Sequence, residues 1–305
     1  MRLLVTGASG FIGRNVLLRT PRDWRVTAVY HQTTSLEAFV RSHGLDHVRP
    51  VRCDLTDGRD VRALAAAAGA VDAVLYLAAN GDPAVSTAAP GRDLVQNTTA
   101  FVNFLDNVRA GHVVYVSSGA VYDGLQGPVM PATPVSPRLP YAISKLASEQ
   151  YLRFFCERRG SVDSFVNVRF FGAYGPYEAP RKITTRWLAA VASGQRQFVI
   201  RGNGENLIDF MYVDDAVDGF LSLVRASGTR MTVDFASGAP ITVNQVVRAM
   251  AEVSGAEIEV RHEGRTEEFI EFRSVDRTMR EQFGFAPATG LHEGLARLRD
   301  HLAVS

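Results

Sequence analysis

The sequence predicts an α/β protein, a doubly wound parallel sheet followed by a smaller α/β lobe. Three observations predict it. Short apolar strands alternate with helical segments from Leu3 to Arg169, the rhythm of parallel strands joined by helical crossovers. Gly7-Ala8-Ser9-Gly10-Phe11-Ile12-Gly13 joins the first strand directly to the first helix. Ala73-Val74-Leu75-Tyr76-Leu77-Ala78-Ala79 is apolar throughout, as a strand buried on both faces must be.

Composition narrows the function. The chain has 305 residues, 46% hydrophobic and 21% charged, enough for one large domain or two modest ones. Its 33 basic and 32 acidic side chains leave a formal charge of +1. No field draws nucleic acid or an anionic membrane, so an anionic ligand has to be held by local geometry. Cys53 and Cys156 stand far apart without ligand spacing and read as reduced core thiols, neither a disulfide nor a metal site. Met1-Arg2 runs straight into the first strand without a signal peptide, and no apolar run reaches the ~20 residues of a membrane span. The expectation is a cytoplasmic protein.

The elements follow in order. Leu3–Thr6 is a strand and Phe11–Arg19 a helix, so the glycine run sits where a phosphate site belongs. Gly7 makes the tight turn, Gly10 lets a pyrophosphate approach the backbone, and Gly13 lets helix pack on strand. The pyrophosphate would rest on the helix N-terminus. Arg25–Val29 is the second strand and ends at Tyr30-His31-Gln32, with no Asp or Glu for a ribose hydroxyl. An acid there would repel a 2′-phosphate, so the cofactor expectation leans to NADP over NAD, with His31 or Arg14 as the phosphate partner. The third strand, His47–Cys53, leads to Asp54-Leu55, where Asp54 can accept from an adenine amino group; Asp57 suits the N-cap of a helix over Asp60–Ala68. Ala78 and Ala79, small at the end of the fourth strand, leave room for the dinucleotide. A helix over Asp93–Arg109 and a strand over His112–Val116 lead to Ser117-Ser118-Gly119-Ala120. The stretch from Asp123 to Pro140, with five prolines and two glycines, reads as a loop.

Tyr141-Ala142-Ile143-Ser144-Lys145 opens the next helix, Tyr141–Arg159. Residues four apart share a helix face, so a phenol and an ammonium stand side by side. A free phenol, with a pKa of about 10, is a poor base at neutral pH, and a neighbouring cation is expected to lower it. After the strand Val162–Arg169 the rhythm changes. An aromatic, turn-rich run from Phe170 to Glu178 opens a lobe with helices over Ile183–Ser193 and Val243–Ser254 and strands over Gln197–Ile200, Thr232–Phe235 and Glu257–Arg261. The division is residues 1–169 for the dinucleotide-binding domain, with about 205–228 returning to it, and 170–305 mainly for substrate.

The chain resembles the extended short-chain dehydrogenase/reductase family of NAD(P)-dependent nucleotide-sugar epimerases, dehydratases and reductases. The match is carried by Gly7/Gly10/Gly13, Asp54-Leu55, Leu77-Ala78-Ala79, Ser117-Ser118, Tyr141/Lys145, the Arg169–Pro176 run, Asp209–Asp215, Asp276 and Gly284–Pro287. The resemblance implies a Rossmann-type domain of about seven parallel strands and a lobe closing over a nucleotide-diphosphate sugar. It also implies that Tyr141 exchanges a proton with the sugar, that Lys145 holds the nicotinamide ribose, and that Ser118 hydrogen-bonds the same sugar oxygen. Phe11, Ile12 and Phe170 join the cofactor set, and Gly172, Tyr177 and Arg201 the substrate set. A homodimer through the Asp93–Arg109 and Tyr141–Arg159 helices is implied as well.

Departures from the family pattern bear on the reaction. Gly119-Ala120 stand where 4,6-dehydratases carry an Asp-Glu pair, and neither transfers a proton, so dehydration is disfavoured. The expectation is a reductase of an NDP-4-keto-6-deoxyhexose, with an NAD-dependent 4-epimerase as the alternative and a non-catalytic nucleotide binder in third place. Tyr177, where related epimerase/reductases have His, reads as an aromatic wall of the sugar pocket, and Glu178 as solvated. Gly172 and Ile208 replace an Asn and an Arg near the diphosphate, leaving Arg181, Lys182, Arg201, Arg265 and Arg273 as candidate donors.

Overall fold

The computed structural model describes residues 1–265 and 270–304. Strands β1 (Arg2–Thr6), β2 (Arg25–Tyr30), β3 (Val48–Arg52), β4 (Val71–Tyr76), β5 (Ala110–Ser118), β6 (Val162–Phe170) and β7 (Arg230–Phe235) make one sheet in the order β7-β6-β5-β4-β1-β2-β3. Every neighbouring pair is parallel. Successive side chains of a strand point to opposite faces, and both faces are covered. Leu3 and Val5 enter one buried cluster with Val16 and Leu17 of helix α1 (Phe11–Arg19). Leu4 enters the other with Val61 and Leu64 of helix α3 (Gly58–Ala68), which follows α2 (Leu36–Ser42). Asp57 caps α3 by accepting from the Arg59 amide at 2.7 Å.

The longer helices that follow among the described residues are α4 (Pro83–Ala88), α5 (Ala100–Asn107), α6 (Pro140–Phe154), α7 (Ile183–Ala192), α8 (Val213–Arg225), α9 (Val243–Ser254) and α10 (Leu291–Val304), with a single turn at Thr278–Glu281. The expected helix over Asp93–Arg109 is interrupted. A turn at Pro90–Asp93 passes into a π-helical stretch at Leu94–Thr99 before α5 begins. The expected helix over Tyr141–Arg159 likewise ends α-helical geometry at Phe154 and closes with a π turn at Phe155–Arg159. Such widened turns insert an extra residue and gather at functional sites.

Other expectations are corrected by tertiary pairing. Thr232–Phe235, assigned to the lobe, belongs to β7 and closes the main sheet beside β6. The Asp123–Pro140 loop holds a strand, Gln126–Val129, paired with Glu271–Ser274. Helices α2, α4 and α10 have no counterpart in the sequence reading. In the lobe, Gln197–Arg201 pairs with Glu259–Glu263 and Leu207–Ile208 with Ile241–Thr242. Its apolar side chains, Trp187 and Phe198 among them, join the cluster on the α1 face of the sheet.

Candidate active site

The glycine run forms a cradle between β1 and α1. Gly7 has φ of 63°, and a Cβ there would lie 2.9 Å from the Ala78 amide nitrogen. At Gly13 a Cβ would lie 2.4 Å from the Gly7 carbonyl oxygen. The Thr6 hydroxyl accepts from the amides of Leu77 and Ala78, both at 3.1 Å, and pins the end of β4 against the cradle. Gly10 caps α1 without a side-chain hydrogen bond, and no acid stands in the first turn. The positive end of the helix therefore faces the cleft open to an anionic group, which the cradle fits.

Two adjoining cavities, of about 580 and 520 Å³, share Gly7 and Ala79. His31, Asp54, Leu55 and Ala78 line the smaller one, and among the described residues no Lys or Arg does. His31 Nε2 lies 3.5 Å from Asp54. Partial burial works against ionisation of Asp54, but hydrogen bonds from the Thr56 amide and hydroxyl, with His31 nearby, hold its carboxyl below the usual range. Arg14, a candidate partner for a 2′-phosphate, donates to the Ser9 carbonyl at 3.0 Å and to Ser35 at 2.7 Å. Its guanidinium lies over the Phe39 ring.

The larger cavity holds Gly10, Phe11, Ile12, Gly13, Leu77, Phe170 and Gly172 together with Ser118, Tyr141 and Lys145. Tyr141 and Lys145 project from the first two turns of α6, and Ser118 ends β5. Lys145 Nζ donates to the Val116 carbonyl at 2.7 Å and sits 5.8 Å from the Tyr141 ring centre. Burial pulls its pKa down to about 8, against the opposing charges of Asp93 and Glu149. Tyr141 departs from the sequence expectation. Its phenol is pushed up by burial, eased by a hydrogen bond with Ser118 and pushed further by Asp93. Desolvation outweighs a lysine whose own charge is spent on a carbonyl.

Behind these groups lies a polar layer the sequence reading missed. Arg169 of β6 meets Glu149 of α6 through Nη2–Oε2 at 3.0 Å and Nε–Oε1 at 3.2 Å, with side chains only 6% and 2% exposed. Ser117 donates to Glu149, Arg169 donates to the Tyr122 hydroxyl, and Tyr122 donates to Asp234 of β7. Asp93 and Asn97 form a second buried group beneath α6. Helix periodicity places such residues on an inward face but does not name their partners.

Across the larger cavity stand Gly119, Ala120, Lys182, Asn206, Ile208 and Asp209. Of the candidate diphosphate donors, only Lys182 lines it. Arg181 pairs with Asp82 at 3.3 Å, and Arg201 ends a lobe strand opposite Glu263. Tyr177 is turned away from both cavities. With φ of 68° it packs on Phe39 and His301 and lines neither cavity. Glu178 is not solvated either. It accepts from the Thr184 and Thr185 hydroxyls at 2.5 and 2.7 Å, and burial raises its pKa in spite of those bonds.

The model of the NAD dependent epimerase/dehydratase family matches residues 3–233. The chain belongs to this family. A UDP-glucose 4-epimerase of Mycolicibacterium smegmatis is 29% identical over 97% of each chain. A dTDP-glucose 4,6-dehydratase of Streptomyces griseus is 31% identical over 96% of this chain and 92% of its own. Among solved structures, MoeE5 in complex with UDP-glucose and NAD superposes with a TM-score of 0.86 at 27% identity, covering 100% of both chains. Membership makes this an enzyme of the NAD-dependent nucleotide-sugar epimerase/dehydratase family. Among the described residues no helix is long and apolar enough to cross a membrane.

Proposed function

We propose that this enzyme is an NAD-dependent nucleotide-sugar 4-epimerase. The observation that carries the reading is the convergence of Ser118, Tyr141 and Lys145 on a cleft whose inner end is the glycine cradle. Gly7, Gly10 and Gly13, with Phe11 and Ile12, take the pyrophosphate. Asp54, Leu55 and Ala78 take the adenosine, and Leu77, Ala79, Phe170 and Lys145 the nicotinamide riboside. When bound, the dinucleotide supplies reversible redox chemistry at a sugar carbinol. Tyr141 accepts the proton of the sugar hydroxyl as the phenolate, the form that burial disfavours without the cofactor, and returns it, while Ser118 hydrogen-bonds the same oxygen and stabilises the charge that develops there. Gly119 and Ala120 line the cleft where elimination would need acids, so the cycle lacks a dehydration step.

NAD is preferred to NADP. The missing acid after β2 favours NADP, but Asp54 stands beside His31 there, and among the described residues no Lys or Arg lines that cavity. A 2′-phosphate would meet a carboxylate with little to balance it. The reductase reading loses its main support with that lean, and neither relative named above is a reductase. Lys182 is the cleft cation placed to take a diphosphate in the absence of an Arg at Ile208. Leu94, Val95, Ile143, Tyr151 and Phe154 are exposed on the neighbouring π stretch and α6, an apolar surface that supports a homodimer and that light scattering can test.

The test is turnover of UDP-sugars followed by NMR, with released nucleotide identified. The expected result is epimer formation without net cofactor use. For Tyr141→Phe, rates should fall by about 10²–10⁴-fold while dinucleotide binding survives. Stoichiometric consumption of NADPH or NADH would establish the reductase instead. Protein that binds no dinucleotide would overturn both readings.

A further inference from the structure

Asp93 is fully buried and has no role in the proposed chemistry as described above. Its carboxylate is spent inside the fold. Oδ1 accepts from Ser86 of α4 at 2.5 Å and from Asn97 Nδ2 at 2.8 Å, and Oδ2 accepts from the Ser144 hydroxyl at 2.6 Å. Ser144 immediately precedes Lys145 on α6. Asn97 continues the chain of contacts by accepting from the Asn80 amide at 2.7 Å, on the wall of the smaller cavity. Three donors converge on Asp93, which suits a carboxylate. An amide would turn its NH₂ toward at least one of them.

Burying a charge costs several kcal/mol unless something is gained. The groups facing Lys145 are Asp93, Glu149 of α6, the Tyr115 ring of β5 at 5.0 Å and the Tyr141 ring at 5.8 Å. Glu149 is committed to Arg169. Asp93, among the described residues, has hydrogen-bond donors but no cation within ion-pair distance, so its negative charge is left to act on α6.

We propose that Asp93 is the positioning residue of the Tyr141–Lys145 pair, anchoring α6 through the Ser144 hydroxyl, one residue before Lys145, with its buried carboxylate set beneath that pair. The inference rests on the dinucleotide reading above. Burial brings Lys145 down to about 8, and Asp93 leads the groups that resist the fall. The same charge raises the Tyr141 phenol, which burial has already raised. Neutralising Asp93 therefore moves both titrations toward lower pH. A loss of packing alone would hydrate Lys145 and move its titration the other way, toward higher pH.

NADH fluorescence titrations across pH 6 to 9.5, within about 2 units of the lysine midpoint, test this without a sugar substrate. Wild-type affinity should fall as the Lys145 ammonium is lost, with a midpoint near 8. In Asp93→Asn the midpoint should drop by about one pH unit or more, the effect of one close charge. Ser144→Ala cuts the anchor and keeps the charge, so affinity should fall about 2- to 10-fold at an unmoved midpoint. An Asp93→Asn midpoint equal to wild type overturns the proposal, as does a wild-type affinity that is flat with pH. If Asp93→Asn does not fold, Ser144→Ala decides. Weaker binding at the wild-type midpoint supports the anchor, and any other result overturns it. A wild type that binds no NADH removes the cofactor reading and this proposal with it, an outcome distinct from binding without the shift.

Discussion

Replacing Glu149 by Ala is the sharpest stability test of the layer behind the cleft. The change removes three hydrogen bonds to the carboxylate, one from Ser117 and two from Arg169, and leaves a guanidinium whose side chain is 6% exposed. Breaking a buried pair by deleting one partner costs about 3–5 kcal/mol, because the surviving charge is stranded. Arg169 is not wholly abandoned. Its Nη1 still donates to the Tyr122 hydroxyl at 3.0 Å and to the Pro131 carbonyl at 3.4 Å. The loss should therefore fall near the lower end, about 3 kcal/mol. Urea unfolding at pH 7.5, followed by circular dichroism, would read it as a lower midpoint at unchanged slope. Removing both charges in Glu149→Leu with Arg169→Met should recover much of the loss, since an apolar pair of similar volume is often as stable. A Glu149→Ala loss below about 1 kcal/mol, the worth of a surface pair, would refute the claim that this pair is desolvated.

Three other perturbations follow from the same geometry. Gly13→Ala puts a Cβ 2.4 Å from one backbone oxygen and 2.7 Å from another backbone atom, so it should cost about 1–3 kcal/mol and weaken NADH binding, both measurable on one preparation. Asp234 has its pKa raised to about 6 by burial and by Asp276, against hydrogen bonds from Ser274 and Tyr122. Because the folded state then holds this proton more tightly than the unfolded one, its contribution to stability is greatest below about pH 4 and is lost as pH rises through 6. Asp234→Asn should remove up to about 3 kcal/mol of that pH dependence between 4 and 6.5, read by urea unfolding at each pH. Lys182→Ala should weaken binding of UDP about 10-fold or more by calorimetry, the worth of a charge-assisted hydrogen bond, with NADH affinity unchanged. Equal UDP affinity would return the diphosphate to another donor.

The parts of the site that were legible in the sequence are those written in adjacent residues. The glycine cradle needs a turn, a close approach and a helix start within seven positions, and Tyr141 and Lys145 need one helical turn. Both lie in the cleft. Asp93 was visible only as the acid opening a helix, because its partners Ser86 and Ser144 are 7 and 51 residues away. Tyr177 misled for a backbone reason. Its left-handed φ of 68°, which an extended reading of the run does not anticipate, comes with a ring packed on Phe39 and lining neither cavity. Arg201 lines neither cavity, and charge alone does not say where on a lobe strand a donor will stand. The membership of β7 was illegible for a similar reason: a short apolar run does not say which sheet edge it will join.

That late strand also dictates when the protein can fold. Until residues 230–235 have been made, β6 is an unpaired sheet edge beside β5, and Arg169 lacks the Tyr122–Asp234 contact that ties it to the far side. An open parallel edge is a template for wrong partners, and pairing across a long intervening segment is slow to form. A nascent or truncated chain ending before Arg230 should therefore be protease-sensitive and aggregation-prone although every catalytic candidate is already present. Limited proteolysis of such a fragment against the full chain measures this directly. Only the first part of the lobe, through Leu207–Ile208, emerges from synthesis ahead of the strand that completes the sheet, and its partners at Ile241–Thr242 and Glu259–Glu263 come after that strand, so neither half can finish folding before the other is made.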